Sequence, residues 1–122
     1  MLLALALIAS AQPAAAPAAD DGRDVLAGAW TVDLRLKPSD APYNQPMALT
    51  LAEDGSVQGT FYGSPIEAGR WKSDRGRTCV SFRTRDGAGP YHHSACAGGR
   101  EVQGQTWAEG RNFLFNWIAT RP

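Results

Sequence analysis

The side chains best suited to acid–base, redox or nucleophilic chemistry are His92, His93, Cys79, Cys96 and the serines at positions 10, 39, 56, 64, 73, 81 and 94. Adjacent residues of a strand face opposite ways, so His92-His93 is a poor metal pair and no metal site is expected. No serine stands in a nucleophile-elbow glycine frame, and the pair Ser81/Ser94 has no evident base. Glu67 and Glu109 are candidate carboxylates, but nothing in the sequence brings them together. Cys79 and Cys96, the only cysteines, are expected to pair with each other, which removes a thiol nucleophile. The reading is therefore non-enzymatic, with no catalytic residue and no cofactor. His93 is the polar side chain of most interest: an imidazole facing either a ligand or a core partner such as Tyr91.

These residues need a scaffold, and turn signals define it. From Val25 onward no helical periodicity is sustained, while short alternating stretches are separated by Gly, Pro, Asn or Asp. Strands are expected at 28–36, 47–52, 57–62, 66–72, 78–85, 91–97, 100–107 and 112–120. In the first, Trp30, Val32, Leu34 and Leu36 share a dry face and Thr31, Asp33 and Arg35 a wet one. A turn at Ala52–Ser56 with Gly55 left-handed pairs Leu51 with Val57, Leu49 with Gly59 and Met47 with Phe61. A type II′ turn at Gly87-Ala88 pairs Thr84 with Tyr91, Phe82 with His93, Val80 with Ala95 and Cys79 with Cys96. The cysteines thus oppose each other although they did not set the register, and directly opposed strand residues lie within disulfide reach.

Turns at Gly98-Gly99 and Glu109-Gly110 continue the meander. They set His93 against Gly104, Tyr91 against Thr106, Gly104 against Phe115 and Val102 against Trp117. One dry face then runs through the last four strands. Phe82, His93, Gly104 and Phe115 form one layer of it, with Thr84, Tyr91, Thr106 and Phe113 outside that layer. The expected fold is all-β: an eight-stranded antiparallel up-and-down β-barrel (a meander) with one disulfide, closure removing both sheet edges. An orthogonal sandwich of the same strands is the alternative.

Composition bounds the rest. The 122 residues hold 12 basic and 12 acidic groups, and 43% are hydrophobic. That is one domain, neither disordered nor charged like a nucleic-acid binder. Leu2–Ala9 followed by Ala9-Ser10-Ala11 reads as a signal peptide over 1–11, cleaved after Ala11, which places the protein in the periplasm or outside the cell. The apolar run is too short to span a membrane. Residues 12–23 read as a Pro/Ala spacer, leaving 24–122 as one barrel domain.

Gly28-Ala29-Trp30 at the start of the first strand and Arg121 at the end of the last resemble the calycin pattern of lipocalins and avidins. The size is also similar to that of small bacterial metalloprotease-inhibitor barrels. The resemblance implies that Trp30 plugs the closed end and that Arg121 packs on it. The opposite mouth then carries the long loop Lys37–Pro46, with Tyr43 and three prolines. The expected function is binding of a small apolar or amphipathic ligand there by His93, Tyr91, Phe82, Thr84, Thr106, Phe115 and Tyr43. The alternative is a protein-interaction module of the cell envelope, such as a protease inhibitor, acting through its N-terminal arm or outer wall. Trp107 beside Leu114 marks that wall. Arg70, Lys72, Arg75, Arg77, Arg83 and Arg85, against the single acid Asp74 within that stretch, would face an anionic envelope partner.

Overall fold

A computed structural model describes residues 21–122. The segment expected to be a signal peptide and most of the expected spacer fall outside the described residues. Arg23–Val25 forms a short 3-10 turn, η1. The strands follow as β1 (Gly28–Asp33), β2 (Asn44–Leu51), β3 (Ser56–Phe61), β4 (Ser64–Pro65), β5 (Glu67–Asp74), β6 (Arg77–Asp86), β7 (Gly89–Gly98), β8 (Glu101–Ala108) and β9 (Phe113–Thr120), with a 3-10 turn η2 (Glu109–Arg111) before β9. Successive strands pair antiparallel, except that β4 and β5 both pair with β3, and β1 pairs with β9 through Thr31↔Thr120, Val32↔Ala119 and Asp33↔Ile118. The ring is closed. β4 and β5 are successive pieces of one strand along β3, so the barrel has eight strands.

Alternation explains the core. Val102 and Thr106 of β8 are buried while Gln103, Gln105 and Trp107 face outward, and Met47, Leu49 and Leu51 of β2 repeat the pattern. Leu36, expected on the dry face, lies past the end of β1 and is exposed. Strict alternation from Ile66, just before β5, to Trp71 within it would put the two on opposite faces, yet both pack against the core. A bulge between Glu67 and Arg70, with Ala68 in the left-handed region (φ 53°), absorbs the odd residue. Pro46 lies inside β2 rather than in the preceding loop. It sits opposite Thr31 of β1 and one residue beyond the last β2–β3 pair, Met47↔Phe61, where its carbonyl accepts the Tyr62 N–H, so its missing N–H falls at the end of the β2–β3 ladder.

The hairpins test the turn reading one by one. The Leu51/Val57 and Phe82/His93 registers are as expected, and Cys79 and Cys96 form a disulfide with Cα atoms 4.0 Å apart. The Gly87-Ala88 turn keeps its register but is not type II′. Positive φ falls at Gly89 instead (118°), and the Asp86 carboxylate accepts the Ala88 N–H at 2.8 Å. The next two hairpins each slip by two residues. Gly98 stays in the ladder opposite Glu101, and the turn is Gly99-Arg100, with φ 66° at Gly99. At the last hairpin η2 lengthens the loop, and Asn112 closes it in the left-handed region (φ 49°). His93 therefore faces Thr106, not Gly104, and Gly104 faces Trp117, not Phe115. An even slip preserves the face and changes only the depth.

Candidate functional site

The two ends of the barrel differ. At one, Leu26 and Trp30 are buried, the Trp30 indole N–H donates to the Leu26 carbonyl at 2.8 Å, and the Arg121 guanidinium lies 3.8 Å over the Trp30 ring. Arg121 also donates to the carbonyls of Ala27 and Asp24. This contact is the one the Gly-x-Trp pattern implied.

The other end opens into a cavity of about 610 Å³. Its lining comes from four connections, the expected long loop among them. Leu34, Leu36 and Tyr43 flank the β1–β2 loop, Phe61, Tyr62 and Ser64 the β3–β4 turn, Thr84, Asp86 and Tyr91 the β6–β7 turn, and Arg111, Phe113 and Phe115 the η2 loop. Of the residues expected to face a ligand, His93, Tyr91, Thr84, Thr106, Phe115 and Tyr43 border this space. Phe82 does not: it lies in the core, its ring stacked on the imidazole of His93 at 4.9 Å. Phe61, Tyr62, Asp86 and Arg111 were not singled out from sequence. Phe61 comes from the opposite wall and meets His93 at 4.2 Å, a cross-barrel depth that no hairpin register encodes.

The floor is a buried polar chain. The Trp117 indole N–H donates to Thr106 Oγ1 at 2.8 Å; Thr106 Oγ1 meets His93 Nδ1 at 2.8 Å, and His93 Nε2 meets Thr84 Oγ1 at 2.8 Å. His93 is thus bonded to two threonines, not to Tyr91 or the backbone. Burial, with a smaller contribution from neighbouring His92, pushes the imidazole down to about 4, so it is neutral at pH 7. Gly104 makes this arrangement possible by its size: a Cβ there would lie 2.3 Å from the Trp117 ring. The space over Gly104 is therefore filled by indole and is not part of the cavity.

The rim carries charges in local pairs. The Tyr91 hydroxyl donates to Asp86 Oδ2 at 2.7 Å, which holds that carboxyl below its ordinary range and pushes the phenol up. Asp33 binds Arg35 through both carboxylate oxygens, and Tyr43 and Tyr62 meet through their hydroxyls. Phe113 and Phe115 stack at 5.4 Å to make an apolar wall.

On the outside, Glu67, held down chiefly by Arg83, bridges Arg83 and Arg85. The basic stretch is partly neutralised by this acid from the neighbouring strand. Glu109 lies 3.6 Å from the outward His92, whereas Glu67 meets Arg83 and Arg85. Among the described residues no three His, Cys, Asp or Glu side chains gather as metal ligands, and no helix is long and apolar enough to cross a membrane. Trp107 (36% exposed), Leu114 (55%) and Ile118 (42%) project from adjacent outer strands. No family model, curated protein or solved structure matches this chain.

Proposed function

We propose that this protein is a calycin-like binding barrel that takes a small, largely apolar molecule at its open mouth. The carrying observation is the cavity of about 610 Å³ above the His93 floor, within the size range of small-molecule sites. Its composition supports the reading: aromatic and aliphatic walls from Leu34, Phe61, Phe113 and Phe115, with a few polar groups at floor and rim. The Trp30–Arg121 contact supports the calycin likeness. The Cys79–Cys96 bridge favours an oxidising compartment, in keeping with export to the periplasm or beyond. No cofactor or catalytic residue enters this function.

Native mass spectrometry of protein purified from an exporting host tests it, because a retained ligand adds its mass. In parallel, N-phenyl-1-naphthylamine should bind with a fluorescence rise. Phe113→Ala and Phe115→Ala should each weaken binding roughly fivefold, about 1 kcal/mol of lost apolar contact. Trp107→Ala should leave it unchanged.

The exposed Trp107–Leu114–Ile118 row favours a second reading, an interaction module using its outer wall. There Trp107→Ala would abolish partner binding while the Phe113 and Phe115 variants kept it.

A further inference from the structure

The hydrogens of the floor can be counted. Trp117 Nε1, Thr106 Oγ1, neutral His93 and Thr84 Oγ1 carry one each, four in all, and they share three contacts. The indole N–H has to donate to Thr106. One hydrogen is left over, and the tautomer of His93 decides where. If Nδ1 carried the proton, Thr106 would accept from both Trp117 and His93. Its own hydrogen would then be stranded at a side chain with 0% exposure. If Nε2 carries it, Thr106 donates to Nδ1 and Nε2–H donates to Thr84. The unused hydrogen then sits on the hydroxyl of Thr84, which borders the cavity and is 5% exposed, whereas Thr106, though it also borders the cavity, is 0% exposed.

Neither threonine hydroxyl has another partner among the described residues. Stranding a buried donor costs the whole desolvation of that group, whereas a donor facing the cavity meets water or a ligand. The second arrangement wins. It also runs every dipole in one direction, from Trp117 to Thr84, so each bond strengthens the next.

We infer that Thr84 presents a hydrogen-bond donor at the cavity floor and that the site selects largely apolar molecules whose buried end carries a neutral acceptor, such as a carbonyl oxygen. This rests on the binding reading above and adds the ligand's chemical class. Neutrality follows from placement: Arg35 and Arg111 border the mouth on its loops and Arg85 at the end of β6, and no cation takes part in the floor's hydrogen bonds.

The test uses two probes of the same shape, 2-acetylnaphthalene and 2-isopropenylnaphthalene, which differ by a carbonyl oxygen against a methylene. Equilibrium dialysis against the whole protein should show the ketone binding about fivefold more tightly, the effect of one net hydrogen bond. Thr84→Val should erase the difference and Thr84→Ser should keep it. Independently of any probe, nitrogen-15 spectra of the His93 ring should show the proton on Nε2. Equal binding of the two probes, or a proton on Nδ1, would overturn the inference and leave the binding reading standing. Failure of both probes to bind would remove the binding reading and this inference with it.

Discussion

The buried imidazole ties folding to pH between about 4 and the ordinary histidine value. His93 is 2% exposed, bonded at both nitrogens, and pushed down to about 4. In the unfolded chain it would titrate near the ordinary histidine value of about 6.5. Between these values the unfolded state binds a proton that the folded state refuses, so stability rises with pH across the window and is lost as pH falls. Linkage gives about 2 kcal/mol lost by pH 5 relative to pH 8, and about 3 kcal/mol once pH is below 4. Asp33, Asp54, Glu67 and Asp86 are all held below their ordinary range, so their stabilisation is shed mainly at still lower pH, below about 4. Urea unfolding at half-unit steps from pH 8 to pH 5 reads the window directly. His93→Gln should start from lower stability but show almost no slope there. A wild-type profile as flat as that of the variant would refute the closed, neutral network.

Other substitutions probe the remaining contacts. Gly104→Ala forces a methyl group into the Trp117 ring and displaces the indole N–H from Thr106; urea denaturation should show a loss of about 2–4 kcal/mol. Opening the Cys79–Cys96 bridge, by reduction or by paired Cys→Ala substitution, releases a loop with sequence separation 17 and should cost about 3 kcal/mol at equilibrium. Arg121→Ala removes the cation over Trp30 and the cap on the Ala27 and Asp24 carbonyls. It should cost about 2 kcal/mol by the same assay and leave probe binding at the far mouth intact.

Much of this fold is legible in the chain because its hairpins are tight. Gly55 and the strict alternation of Leu49, Leu51 and Val57 leave only one register that buries the apolar set, and the opposed cysteines check another independently. The two slipped hairpins show the limit of turn reading. Gly98-Gly99 offers two glycines, and only packing decides that the second takes the left-handed position. In the loop before β9, where a turn at Glu109-Gly110 was expected, Asn112 takes the left-handed position and the loop is longer. Because both slips are even, the list of inward residues survived while their depths changed, which is why Thr106 rather than Gly104 meets His93. Ala68 carries no sequence signal for a bulge, so the odd spacing of Ile66 and Trp71 was unreadable. Which walls meet across the barrel is set by closure alone, so Phe61 over His93 emerges only in three dimensions.

The central claim is that the open end of the barrel is a ligand site. An amide nitrogen–proton NMR titration of the whole protein with N-phenyl-1-naphthylamine tests it most directly. The account predicts saturable shifts clustered on Leu34, Thr84, Tyr91, Phe113 and Phe115, with the Trp30 end silent. Shifts confined to Trp107, Leu114 and Ile118, or none at all, would contradict it.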